Sequence, residues 1–105
     1  MNKLIMNTYN YVEALQLSIT FYLAQKSGKL PANNPLSWRG DSCLNDGKDN
    51  NVDLTGGYFD AGDHMKFLLA NAYSITMLTW GAIQYNDIYK QNNLLPLLTD
   101  VIKWG

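Results

Sequence analysis

The sequence has little cysteine, little net charge and no long apolar run, and each shortage excludes a class of protein. The single cysteine, Cys43, excludes an intramolecular disulfide. The eight lysines and arginines are scattered and the formal net charge is −1, so no basic cluster could neutralise the phosphates of a nucleic acid. No apolar run approaches the roughly 20 residues that span a bilayer, so we expect no membrane partner.

The first residues also lack the features of an export signal. A secretory signal needs an apolar stretch of about 7–15 residues, and Asn7, Thr8 and Asn10 interrupt any such stretch after Met1–Met6. The hydrophobic content of 47% and the aromatic content of 12% are those of a globular domain rather than of a disordered chain.

A first helix is predicted from the spacing of apolar residues after Asn10. Its apolar face consists of Val12, Leu15, Ile19 and Tyr22. Asn10 suits the N-cap, and Glu13 three residues later completes a capping box. Ser27–Gly28 ends the helix, and Pro31 prevents it from resuming.

Two further helices are predicted in the second half of the chain. The first of them runs from about Phe67 to Tyr89 with two apolar stripes, Ile75, Leu78, Ala82, Tyr85 and Tyr89 on one and Tyr73, Met77 and Trp80 on the other. Two apolar faces are typical of a helix buried between neighbours. The other is capped by Asn93, has Pro96 in its first turn and an apolar face of Leu94 or Leu95, Leu98, Val101 and Ile102. No strand-like alternation exceeds four residues, so the patterns predict an all-α fold.

Residues 28–66 form a long polar stretch between the first two helices. They hold six of the eight glycines and two of the three prolines. Loops of this length are uncommon in compact domains and are usually functional or disordered. Large apolar residues such as Trp38, Tyr58 and Phe59 favour an ordered, packed loop.

The residues in this loop that could carry out chemistry lie in the segment Gly56–His64. Asp60 and Asp63 are three residues apart, and the small Ala61 and Gly62 between them allow a tight turn with both carboxylates facing one cavity. An ionised carboxylate beside a water molecule is what a general base requires. Judged on spacing alone, however, a turn followed by a helix N-cap is the commoner role for such a pair. His64 on its own is more often a structural residue, and we assign it no catalytic role.

Residues 49–60 also approach the register of a calcium-binding EF-hand loop. Positions 1, 3, 5, 7, 9 and 12 of that register would be Asp49, Asn51, Asp53, Thr55, Gly57 and Asp60. Leu54 stands where the register requires glycine, position 12 is not the usual glutamate, and no entering helix is predicted. We therefore predict no metal site and no cofactor.

Six segments, read in order, carry a stronger signal than the aspartate pair alone. They are Tyr9–Gln16, Phe21–Pro31, Trp38–Ser42, Asp46–Gly47, Asp53–Phe67 and Leu94–Trp104. Taken together they extend over nearly the whole chain, and they resemble the family 9 glycoside hydrolases, mostly cellulases (endo-β-1,4-glucanases).

The resemblance implies a fold, a reaction and two site residues. The fold is an (α/α)₆ toroid, and the reaction is inverting hydrolysis of internal β-1,4-glucosidic bonds in cellulose or a related β-1,4-glucan by a secreted enzyme. Asp63 matches the catalytic base, and Asp60 matches the aspartate that helps to hold the attacking water. Trp38 and Tyr58 could stack on sugars or pack beneath the loop.

The catalytic acid of the family is a glutamate far downstream, and Glu13, the only glutamate here, does not match it. We therefore expect residues 1–105 to be the N-terminal part of one catalytic domain, with a loop insert at about 28–66. We also expect this chain to be inactive alone. The alternative is a non-catalytic carbohydrate-binding remnant.

Overall fold

The computed structural model describes residues 9–105, so the expectation that Met1–Met6 begins no export signal concerns residues outside the described part of the chain. The helices are α1 (Tyr11–Gln25), α2 (Leu68–Gln84), α3 (Asn86–Gln91) and α4 (Leu95–Trp104). The stretch between α1 and α2 holds one short 3-10 helix, Lys48–Asn50. Two isolated bridges are the only β-type pairing within residues 9–105. The all-α prediction is confirmed for this part of the chain.

At the start of α1 the predicted N-cap at Asn10 is confirmed, whereas the reciprocal bond of the predicted capping box is not formed in its standard way. The Asn10 side-chain oxygen accepts a hydrogen bond from the Glu13 backbone N–H at 3.0 Å, which satisfies one of the free donors of the first turn. The Glu13 carboxylate accepts in return from the Asn10 side-chain amide at 3.1 Å, whereas a standard capping box uses the N-cap backbone N–H.

The end of α1 turns the chain towards the long loop. The helix ends at Gln25 because Lys26 adopts extended backbone angles (φ −56°, ψ 131°). Gly28 has φ +101°, and a Cβ atom there would lie 2.6 Å from the carbonyl oxygen of Thr55. Glycine is required at this position by both its backbone conformation and the close approach of Thr55.

The prediction of a single helix from about Phe67 to Tyr89 is wrong. The chain bends at Tyr85 (φ −117°, ψ 30°) and forms two helices, α2 and α3, instead. The bend folds Tyr89 back, so that its hydroxyl would lie 3.7 Å from a Cβ atom built at Gly81. In a continuous helix, residues eight positions apart are about 12 Å apart along the axis. The apolar spacing of Tyr85 and Tyr89 continues unbroken across the bend, so periodicity could not reveal it.

The prediction that Asn93 caps the last helix is also wrong, because Leu94 is the N-cap of α4 and makes no side-chain capping bond. Asn93 has φ +56° and instead ends α3. The Leu94 N–H donates to the Tyr89 carbonyl at 2.8 Å, and the Asn93 N–H donates to the Lys90 carbonyl at 3.1 Å. These two bonds form a Schellman motif. The prediction that Pro96 lies in the first turn of α4 is confirmed.

The core lies between α1 and α4. Its buried side chains are Ile19, Leu23, Tyr58, Tyr89, Leu94, Leu98 and Val101. Helix α2 contributes only partly buried side chains to this core, and Tyr73, Met77 and Trp80 of its second stripe are exposed. Burial of α2 on both faces, which its two stripes predicted, therefore does not occur within residues 9–105.

None of the described helices combines the length and the apolar character that crossing a bilayer requires.

Candidate active site

Residues 56–59, here called the anchor segment, lie beside the end of α1. The Ser27 N–H donates to the Gly57 carbonyl at 2.9 Å, and the Phe59 N–H donates to the Gln25 carbonyl at 2.8 Å. Tyr58 pairs in antiparallel fashion with Lys26 between these two bonds. The anchor segment is therefore fixed by backbone contacts with residues about 30 positions earlier in the sequence.

The anchor segment also closes the C-terminal end of α4. The last carbonyls of a helix have no partner within it, and the Tyr58 hydroxyl donates to one of them, that of Val101, at 2.6 Å. The Gly57 N–H donates to the Trp104 carbonyl at 3.3 Å, and the Trp104 indole N–H is 3.1 Å from the carbonyl oxygens of both Ser27 and Gly57. Burial, and then the nearby Asp100, raises the pKa of Tyr58 well above its usual value.

Phe59 is the last residue of the anchor segment and is only 5% exposed. The guanidinium carbon of Arg39 lies 5.8 Å from the centre of its ring, and Arg39 Nη2 donates to the Lys26 carbonyl at 2.7 Å. Arg39 therefore links the long loop to both Phe59 and the end of α1, directly before the first aspartate.

Residues 60–65, here called the carboxylate turn, hold both predicted site residues. The Asp60 N–H donates to the Met65 carbonyl at 2.8 Å. The Met65 N–H donates to Asp63 Oδ1 at 3.1 Å. A third bond within the turn runs from the His64 N–H to the Ala61 carbonyl at 3.4 Å. Asp60 and Asp63 are both exposed, and both are bound to the backbone of Met65.

The left-handed residue of this turn is His64 (φ +58°), whereas Gly62 does not have a positive φ. A Cβ atom at Gly62 would meet nothing within 4 Å. The tight turn expected at Ala61 and Gly62 is therefore present, but its left-handed residue is not the glycine. The left-handed conformation that glycine adopts most readily occurs two residues later, at His64.

The expected N-cap role of the aspartates is also absent. Helix α2 begins at Leu68, its N-cap is Phe67, and no side chain makes the capping bond. Asp63 instead accepts a bond from Met65 within the turn. Of the non-catalytic roles considered for the pair, the turn is present and the helix cap is not.

Lys66, to which no sequence pattern gave a role, holds the far side of the turn. Its Nζ donates to the carbonyls of Leu54 and Gly56 and lies 2.6 Å from Asp46 Oδ2. One ammonium group thus connects the chain just after the carboxylate turn with two separate parts of the long loop. Its position directly beyond the Asp–Ala–Gly–Asp segment was the only sequence signal, because the three partners lie 10 to 20 residues away along the chain.

A cavity of about 120 Å³ lies between α1, the anchor segment and α2. Asp60 lines it together with aromatic residues that include Phe21, Phe59 and Phe67. Asp63 is not among the lining residues, so the structure does not bring both carboxylates to this particular cavity.

The other candidate residues separate into buried and exposed. Tyr58 is 7% exposed and packs against Tyr22 with a centroid distance of 5.8 Å, so it is a packing residue here rather than a sugar-stacking surface. Trp38 is 70% exposed.

Within the EF-hand register, the Asp53 carboxylate accepts bonds from the N–H and hydroxyl of Thr55. No cluster of three or more His, Cys, Asp or Glu side chains in residues 9–105 is arranged to hold a metal ion.

Comparison with known protein families agrees with the motifs described above. The sequence profile of glycosyl hydrolase family 9 matches residues 11–105. The chain belongs to this family. Endoglucanase 4 of Bacillus sp. (strain KSM-522) is 58% identical over 100 residues, which cover 95% of this chain and 16% of that relative. Endoglucanase 16 of Arabidopsis thaliana is 50% identical over 96 residues, covering 91% of this chain and 20% of the relative.

Solved structures of family 9 members have the same fold over this region. The endoglucanase of the termite Nasutitermes takasagoensis superposes with a TM-score of 0.89 at 46% identity, covering 93% of this chain and 23% of that protein. The cellulase Cel9M of C. cellulolyticum in complex with cellobiose superposes with a TM-score of 0.88 at 39% identity, covering 92% and 23% respectively. This chain thus spans between 16% and 23% of the length of these four relatives.

Proposed function

We propose that this chain forms part of an (α/α)₆ family 9 catalytic domain that hydrolyses internal β-1,4-glucosidic bonds of cellulose or a related β-1,4-glucan with inversion. The observation that carries the proposal is the carboxylate turn. In it, two exposed aspartates are both bound to the backbone of Met65, and the turn follows directly on the buried anchor segment. The family relationship and the cellobiose complex of Cel9M support the substrate class. A polymeric substrate would require the enzyme to act outside the cell.

Asp63 is proposed as the general base. Its Oδ1 accepts the Met65 N–H, and among the described residues Oδ2 has no hydrogen-bond partner. Oδ2 is therefore available to accept a proton from a water molecule as that water attacks the anomeric carbon. In an inverting enzyme the base and the acid stand about 6.5–9.5 Å apart, which leaves room for this water.

Asp60 is proposed to hold the same water. Its N–H is bound to the carbonyl of Met65, and the N–H of the same Met65 is bound to Asp63 Oδ1, so one residue fixes the main chain of Asp60 relative to the Asp63 carboxylate. A second carboxylate that accepts the other water proton would orient the lone pair towards the sugar. Orientation of this kind contributes to catalysis even when the group transfers no proton.

The experiment that tests the proposal uses a complete domain. Residues 9–105 replace the matching segment of Endoglucanase 4 of Bacillus sp., and the chimera is assayed on carboxymethyl cellulose. We expect reducing-sugar release, with the α-anomer as the first product detected by proton NMR. Asp63→Ala should lower kcat by about 10²–10⁴-fold, and Asp60→Ala by about 100-fold. Asp87→Ala, an exposed aspartate on α3, is the matched control.

The chain of 105 residues alone is expected to show no turnover, since inverting hydrolysis needs an acid as well as a base. Glu13, its only glutamate, lies in the first turn of α1 and is bound to Asn10. Reducing-sugar release by the purified chain, with Asp63→Ala as the negative control, would contradict this.

A second candidate, carbohydrate binding without cleavage, is favoured by the exposure of Trp38. This indole is next to Arg39, which contacts Phe59 beside the carboxylate turn. Titration of the chain with cellopentaose, followed by tryptophan fluorescence, would show saturable binding that Trp38→Ala removes. An unchanged spectrum would exclude this candidate.

A further inference from the structure

The strained residue of the carboxylate turn is His64, which carries a side chain but has φ +58°. Few residues other than glycine adopt this region, and Asn, Asp and His are enriched among those that do. Strained backbone of this kind persists only where surrounding contacts hold it in place, and it is concentrated at functional sites.

The left-handed conformation of His64 determines where Met65 points. Because the chain reverses at His64, the Met65 N–H faces Asp63 Oδ1 at 3.1 Å. The Met65 carbonyl faces the Asp60 N–H at 2.8 Å. A residue with ordinary extended or helical angles at position 64 would direct both polar groups of Met65 elsewhere, and both aspartates would lose their backbone partner.

The imidazole of His64 has a separate contact. Its ring centre lies 5.1 Å from that of Phe59 in an edge-to-face arrangement. Phe59 is buried and bound through its N–H to the Gln25 carbonyl. The side chain therefore rests on the anchor segment, while the backbone of the same residue shapes the turn.

We propose that His64 is a positioning residue, and that its left-handed backbone conformation, rather than its imidazole chemistry, places Asp60 and Asp63 for catalysis. This inference rests on the proposed function, since it assigns a role within the same site. Gly62, which lies between the two aspartates, does not have this role because its φ is not positive.

The test compares substitutions at position 64 in the chimera with Endoglucanase 4. His64→Val should lower kcat by about 100-fold with little change in KM, because a β-branched residue disfavours positive φ and a misplacement of about 1 Å has this effect. His64→Asn should restore kcat to within about threefold of the parent, since Asn adopts the left-handed region readily. The pH profile of His64→Asn should match that of the parent, as the imidazole transfers no proton.

Two outcomes would overturn the inference. One is a His64→Val enzyme with the kcat of the parent. The other is an equal loss of kcat in His64→Val, His64→Asn and His64→Gly, which would mean that the imidazole itself is needed. If His64→Val does not fold, His64→Ala replaces it. Its kcat is expected to lie below that of the parent but above the roughly 100-fold loss expected for His64→Val.

A structural measurement separates this inference from the proposed function. In the chimera, hydrogen exchange of the Asp60 amide reports its bond to Met65 directly. We expect His64→Val to exchange about tenfold faster at this amide and His64→Asn to match the parent, since local opening sets the rate. Unchanged exchange in His64→Val would overturn the positioning role. If Asp63→Ala retains the parent activity while exchange changes as expected, the proposed function fails, and only the effect of His64 on the geometry of the carboxylate turn stands.

Discussion

The anchor segment (residues 56–59) and the carboxylate turn (residues 60–65) are neighbours in the chain but are held in different ways. In the first, Tyr58 and Phe59 are buried, and its bonds reach Gln25, Ser27 and the end of α4. In the second, Asp60 and Asp63 are exposed and every backbone bond stays within the turn.

The difference shows how a loop can present charged groups to solvent without losing their geometry. Functional groups must be held within about 0.5 Å, which requires supporting residues that are themselves fixed. Here the supporting residues are the buried anchor segment, whose bonds reach distant parts of the chain. The groups that they support are the two solvent-exposed aspartates, which are bound only within their own turn. Changes in the anchor segment should therefore be felt mainly in stability, and changes in the carboxylate turn mainly in activity.

The largest stability effect is expected beneath the anchor segment, at Lys26. Its ammonium lies 2.6 Å from Asp100 Oδ2 and 4.4 Å from the centre of the Trp104 ring, and its side chain is 2% exposed. Asp100→Ala should lower the free energy of unfolding by about 3 kcal/mol, because it leaves a buried charge without its partner. Urea unfolding of the chain measures this.

The matched control is Lys26→Met, which should cost less than Asp100→Ala. Met keeps the buried part of the side chain, and the remaining Asp100 is half exposed and can be hydrated. If Lys26→Met proves the more damaging of the two, the ammonium itself stabilises the anchor segment beyond its pairing with Asp100.

The next effect is expected at Tyr58. Tyr58→Phe removes the donor to the Val101 carbonyl and should lower the free energy of unfolding by about 1–3 kcal/mol. Burial raises the pKa of Tyr58, so above about pH 10 the unfolded chain loses this proton while the folded chain keeps it. Stability of the parent should therefore fall as the pH rises above about 10.

Tyr58→Phe should lack this alkaline component. Urea unfolding at pH 8 and pH 11 should give a smaller stability difference for Tyr58→Phe than for the parent, because the other tyrosines are common to both. Equal differences in the two proteins would mean that the Tyr58 hydroxyl is not held in the folded state as described.

The smallest effect comes from a pair of glycines, one in each region. Gly57 of the anchor segment has φ +79°, so Gly57→Ala should cost about 1–2 kcal/mol in stability. Gly62 of the carboxylate turn has no positive φ and open space around it, so Gly62→Ala should stay within about 0.5 kcal/mol of the parent. Thermal unfolding of both variants compares them, and a Gly62→Ala loss equal to that of Gly57→Ala would remove the distinction between the regions.

The sequence predicted the features that depend on local chemistry. Asn10 caps α1 through Glu13 as expected, Pro96 lies in the first turn of α4, and Leu98 and Val101 are fully buried on the face predicted for that helix. Each of these depends on residues within about one or two helical turns, where capping and periodicity rules apply.

The features that the sequence did not predict depend on distant contacts or on backbone angles. The bend at Tyr85 leaves the apolar period intact, and Asn93 can equally begin or end a helix. The partners of Lys66 are carbonyl groups, which every residue carries and no motif identifies. Glycine is the residue that most readily adopts the left-handed region, whereas the left-handed residue of the carboxylate turn is His64, which no sequence rule identifies.

The most direct test of the central claim, that Asp63 acts as the base on a water molecule, is azide rescue of Asp63→Ala in the chimera. Azide is an anion and attacks the anomeric carbon without giving up a proton, while the acid protonates the departing oxygen. We predict that kcat falls by about 10²–10⁴-fold in Asp63→Ala and that azide restores turnover with an α-glycosyl azide as product, without accelerating the parent. A parent-like rate for Asp63→Ala in the absence of azide would contradict the account.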